Sequence, residues 1–113
     1  MPDVSRTEIG RRMYSLQKEK NVERVVERIR KQMGADWTHF SQEDQNALKY
    51  VIGEVWVYKE REFWDMVQYP RITAISVFDI IAIGRKSLSH EIDTQRTVEE
   101  ATAILLPDEG KEA

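Results

Sequence analysis

Two histidines and the carboxylates beside them come nearest to residues that could do chemistry. His39 precedes Glu43 by four positions, which stacks two side chains on one helix face, and His90 adjoins Glu91 and Asp93. Either group offers an imidazole nitrogen and carboxylate oxygens to a divalent ion. Each falls short of the converging set that a structural or catalytic zinc site requires, so the spacing predicts no metal. A third candidate is Asp79, the single charge inside the apolar run Ile72 to Ile83. Buried on all sides, such a carboxylate would need a donor or would hold its proton, and it could then serve as an acid or base in a ligand pocket. The competing expectation is that Asp79 shares a narrow solvent-facing strip with Ser76 and Ile83. Lys59 and Glu62 pose the same question on another helix, either as an internal ion pair or as side chains reaching water at its edge.

The commonest catalytic signatures are missing. Glycine-rich phosphate loops, the paired-histidine zinc motif, the serine-hydrolase elbow and the calcium loop do not occur. The chain has no cysteine, which removes disulfides, thiolate metal sites and cysteine nucleophiles. No catalytic residue and no cofactor are therefore expected. Its apolar runs stay short of the ~18 residues of a membrane span, and Met1 to Arg6 lacks the oily core of a signal peptide. A soluble cytoplasmic protein is the expectation.

The elements that must position these residues follow from periodicity and turn chemistry. At 113 residues the chain is expected to form one domain, 1–113, with flexible ends at about 1–5 and 108–113. A first helix is predicted over Ser5 to Lys20, with Ile9, Met13 and Leu16 on one face. A second is predicted from Asn21 as N-cap, burying Val22, Val25, Val26, Ile29 and Met33 before Gly34. Their apolar faces do not align, so a break is placed between them. Trp37 and Phe40 lie in the linker that follows. Ser41 and Asp44 form a capping arrangement, and Tyr69-Pro70 closes the helix they open. Thr73 and Gly84 bracket a helix at the centre of the core. A last helix, in one piece or two, covers Ser87 to Leu106, with Thr97 and Glu100 as a capping box for its last piece and Pro107 as its stop. The fold class is all-α, a compact bundle of four to five helices with one long central helix. A mixed fold with a hairpin near Glu54 to Tyr58 and Ile72 to Phe78 is the alternative.

The central helix, Ser41 to Gln68, carries apolar residues on two sides. One broad stripe runs from Leu48 through Val51, Ile52, Val55, Trp56, Tyr58, Phe63, Met66 and Val67. Opposite it, Tyr50, Val57 and Trp64 recur at intervals of seven with Gly53 between the first two. That ridge either packs under the chain's own elements or meets a protein partner or a second copy.

Charge is unevenly spread. Residues 1–34 hold nine Lys/Arg against five Asp/Glu, and residues 35–113 hold eight against fifteen. Arg6, Arg11, Arg12, Lys18, Arg24, Arg28, Arg30 and Lys31 are accordingly candidates for nucleic-acid contact, although Glu19, Glu23 and Glu27 interrupt the field. The stretch Ile9 to Asn21, with its Ile-Gly-Arg-Arg opening and Leu16, resembles the first helix of phage-repressor helix-turn-helix domains. That resemblance implies a recognition helix close behind, and none can be placed after Met33, so the family is not assigned. The leading expectation is a non-enzymatic interaction or regulatory module that self-associates through the long helix. A nucleic-acid-associated regulator and a small-ligand carrier or enzyme with a pocket near Asp79 are the alternatives.

Overall fold

The computed structural model describes residues 6–68 and 73–106. The expected stops at Tyr69-Pro70 and Pro107, the start of the apolar run at Ile72 and the flexible ends all lie outside these residues. The described chain is all-α, as its periodicity predicts. Helix α1 spans Arg6–Met33, a 3₁₀ segment spans Gly34–His39, and helices α2 to α5 span Gln42–Tyr58, Glu60–Gln68, Ala74–Leu88 and Thr94–Leu105. No strand occurs among the described residues, which removes the hairpin alternative.

Caps set several boundaries. Ser41 Oγ accepts from the Asp44 amide at 3.1 Å while Asp44 Oδ2 accepts from the Ser41 amide, so both halves of the capping box are closed. Thr73 and Ser76 repeat the device at the front of α4. At the back of α1, Gly34 takes a φ of 58°, the left-handed conformation that glycine adopts without strain.

Four boundaries differ from those the sequence predicts, each for a physical reason. First, α1 is one helix of 28 residues, with no break near residue 20. Residues 11–33 contain neither glycine nor proline. Asn21 is buried within the helix, where its Oδ1 accepts from Gln17 Nε2 at 3.1 Å. Second, the long central helix is two, joined at Lys59, whose φ of −140° and ψ of 59° leave the helical region. An unbroken helix would aim the Lys59 ammonium into the buried stripe. The bend turns it into solvent and still delivers Phe63, Met66 and Val67 to the core, whereas Tyr58, expected in the buried stripe, ends α2 beside the bend and is exposed. The longest helix is therefore α1, while α2 is central in packing and touches every other helix.

Third, Gly84 does not end α4. A Cβ there would stand 2.6 Å from the Ala47 carbonyl oxygen, so glycine serves close approach of α4 to α2. The helix ends instead at a Schellman motif, in which Glu91 N–H donates to the Lys86 carbonyl and His90 N–H to the Ser87 carbonyl. His90 sits there at φ 63°. Fourth, Asp93 rather than Thr97 caps α5, its Oδ1 accepting from the Arg96 amide at 2.8 Å. Thr97 is fully buried, and its hydroxyl lies 2.7 Å from the Asp93 carbonyl and 2.8 Å from Ser87 Oγ.

A single cluster of buried residues joins the helices. Ile29 of α1, Leu48 and Ile52 of α2, Phe63 and Met66 of α3 and Ile80 of α4 form its fully buried centre, and Ala101 and Leu105 close it from α5. Burying a side chain of this size stabilises the fold by about 1.5–3 kcal/mol.

Candidate interaction surfaces

The groups nearest to chemistry do not converge. Glu43 leans toward Arg85, its carboxylate 3.8 Å from the guanidinium, while His39 is exposed at the end of the 3₁₀ segment. Glu91 accepts from Ser89 Oγ at 2.8 Å, Asp93 caps α5 and His90 forms the turn. Among the described residues no group of three or more His, Asp and Glu stands close enough to hold a metal ion. Asp79 is exposed on the outer side of α4, so the buried-acid expectation does not hold. Its expected companions Ser76 and Ile83 are buried instead, which confines the solvent-facing strip to Asp79's own side.

Clefts open between the helices. One, of about 490 Å³, runs between α1 and α2 and is lined by Lys18, Val22, Lys49 and Tyr50 among others. Lys49 pairs with Glu23 across it at 3.1 Å. A second cleft of about 460 Å³ opens between Tyr58 and α5, and a third of about 380 Å³ is bordered by Ala47, Arg85 and Leu88. None includes Asp79.

The ridge Tyr50, Gly53, Val57 and Trp64 lies against the chain's own elements. Tyr50, Val57 and Trp64 are half-buried and pack on the core cluster. A Cβ on Gly53 would stand 3.0 Å from Lys18 Cε, so α1 roofs that notch with a flexible side chain. The Arg24 guanidinium lies 5.9 Å from the centroid of the Trp64 ring, a cation–π contact, and the Tyr50 hydroxyl is 3.5 Å from Ser87 Oγ.

The basic set is similarly divided by structural duties. Arg28 donates to the Val67 carbonyl near the end of α3, Arg30 pairs with Glu27, and Arg12 lies 3.9 Å from Glu8. Lys18 and Arg24 cover Gly53 and Trp64. Arg11 and Lys31 are exposed on α1. Glu27 is held below the ordinary carboxylate range by its hydrogen bond from Arg30. The side chain of Arg6 lies outside what the structure describes.

The surface that the sequence assigns to a separate first helix is the outward side of α1. Val22, Val25, Val26, Ile29 and Met33 face the core. Advancing about 100° per residue, Ile9, Met13 and Leu16 fall on the opposite side of the same helix, and they are 46%, 65% and 66% exposed. Tyr14, a quarter-turn or so away, turns back and meets Trp56 with ring centroids 4.8 Å apart. A smaller outward patch, Ile75 and Phe78, occupies α4, where Phe78 meets Phe40 edge-on at 5.0 Å. The signal for the α1 stripe was present in the sequence as the mismatch between the two apolar faces. Comparison of the chain with protein-family models, curated proteins and solved structures finds no match.

Proposed function

We propose that this protein is a non-enzymatic, self-associating interaction module of the cytoplasm, acting as an adaptor or regulator through its outward helix faces. One observation carries the reading. In a single continuous helix the C-terminal half buries its apolar stripe, while the N-terminal half holds Ile9, Met13 and Leu16 out to water. An aligned apolar stripe of this kind stays exposed at a cost that a docked partner removes. The docking surface accordingly moves from the ridge on α2 and α3, which is half covered by α1, to α1 itself. Among the described residues, no helix is long and apolar enough to cross a membrane.

The test is a photo-crosslinking amino acid placed at Leu16, with Glu99, exposed on α5, as the control position. The expected result is a discrete protein adduct from position 16 and none from 99. Equal labelling from both positions would overturn the reading.

A further inference from the structure

We propose that the outward stripe of α1 pairs with the same stripe of a second copy, and that the two helices run antiparallel, Met13 of each against Leu16 of the other. This rests on the interaction reading above and names its partner. Ile9, Met13, Leu16 and Lys20 follow the 4-3-4 spacing of a coiled-coil seam. Arg12 and Glu19, both exposed, stand seven residues apart on one border of that seam.

Charge decides the direction. In a parallel pair the seam continues through Lys20, Glu23, Glu27 and Arg30, each exposed, and every one would face its own copy. Four successive levels would then oppose like charges. In the antiparallel pair with Met13 opposite Leu16, the overlap runs from about residue 6 to residue 23, so Glu27 and Arg30 lie beyond it, and Arg12 of each copy lies alongside Glu19 of the other. Twofold symmetry makes that contact twice. Lys20 then meets Ile9 through its aliphatic stem.

Shape agrees with charge. The core-facing side of α1 lies roughly opposite the seam, so the two bodies project away from each other and do not collide. Gly10 borders the seam, and among the described residues nothing outside its own helix turn lies within 4 Å of where its Cβ would stand, so a second helix can approach closely there. The paired segment is only about eighteen residues long in each copy, roughly 27 Å of helix. An interface of this length gives weak, concentration-dependent dimers rather than permanent ones.

The test compares the full chain with Arg12→Glu and Glu19→Arg by sedimentation equilibrium, each alone and then mixed in equal amounts. The wild-type chain is expected to dimerise, and each variant alone to weaken by about tenfold, because two attractive contacts become repulsive. The mixture is expected to regain wild-type affinity, since the carboxylate introduced at position 12 of one chain then meets the guanidinium introduced at position 19 of the other. Circular dichroism of each variant checks that α1 remains helical, and recovery in the mixture itself excludes misfolding as the cause of weakening. A wild-type chain that stays monomeric at several hundred micromolar would overturn the proposal, as would a mixture no tighter than its components. If the crosslinker at Leu16 still captures a different protein in that case, the adaptor reading stands and self-association is lost. If it captures nothing, both fall.

Discussion

Ile29 and Leu16 belong to the same uninterrupted helix and carry side chains of equal size, yet one is wholly buried and the other is two-thirds exposed. The half with more apolar residues fixes the rotation of the whole rod. Val22, Val25, Val26, Ile29 and Met33 turn that face to the core, and Ile9, Met13 and Leu16 are carried round to the far side. Realigning the two stripes would require a bend near residue 20. Residues 11–33 supply no glycine or proline to make one, and a bend would sacrifice backbone hydrogen bonds of the helix. Misaligned apolar faces therefore mark two different partners as readily as two different helices.

The largest expected effect tests that contrast directly. Ile29→Ala opens a cavity in the buried cluster that joins the helices and is expected to cost about 2–5 kcal/mol in urea unfolding. Leu16→Ala, measured at dilution, is expected to stay within about 0.5 kcal/mol of wild type. Similar losses at the two positions would mean that the N-terminal half of α1 is bound into the fold of its own chain.

The next effect asks whether the core side tolerates as little elsewhere. Gly84→Ala gains about 1 kcal/mol of helix propensity. It also sets a Cβ 2.6 Å from a backbone oxygen of α2, which cannot swing aside as a side chain can. The net is expected to be destabilising by roughly 1–3 kcal/mol. By contrast, Gly10→Ala on the outward half has open space around it and is expected to stabilise the monomer.

The junction itself offers a sharper cut. Asn21→Gly removes the Gln17 contact and loosens the helix where its two apolar faces change side. The expected cost is about 1 kcal/mol. Amide exchange should accelerate in residues 6–20 more than in 22–33, because only the latter are tied to the core.

Much of the fold was legible because it rests on local signals. The Ser41 and Thr73 caps, the apolar faces of α1, α2 and α4 and the all-α class each follow from residue type and spacing. What escaped the sequence depends on neighbours that only folding supplies. Lys59 interrupts a well-patterned helix that, unbroken, would carry its ammonium onto the buried stripe. Gly84 reads as a stop until Ala47 is known to lie against it, and Thr97 reads as a cap until Ser87 is seen within reach of its hydroxyl. The candidate surface was half legible. The exposed face of α1 could be counted from the sequence, but its exposure depends on which half wins the rotation. On the ridge of α2 and α3 the spacing was visible and the cover from Lys18 and Arg24 was not.

The smallest effect concerns pH and compares a contact between helices with one inside α1. Asp44 accepts from Arg85 Nε at 3.0 Å, joining α2 to α4, and also accepts from the Ser41 amide. The Arg85 hydrogen bond, followed by that of the Ser41 backbone, holds Asp44 below the ordinary carboxylate value. The folded chain therefore keeps this group ionised at a pH where the unfolded chain has begun to protonate it. The stability gained is present above the unfolded carboxylate range, and it is lost as pH falls through that range to the lower folded value. Glu27 is also lowered, chiefly by Arg30, but that pair lies within one helix and in water. Asp44→Asn is expected to flatten the acid limb of the melting-temperature profile visibly, and Arg85→Gln to flatten it in part. Glu27→Gln should leave that limb nearly as steep as wild type, because an exposed pair within one helix contributes little. An acid limb that Glu27→Gln flattened more than Asp44→Asn would shift the pH-sensitive contact from the α2–α4 packing to α1.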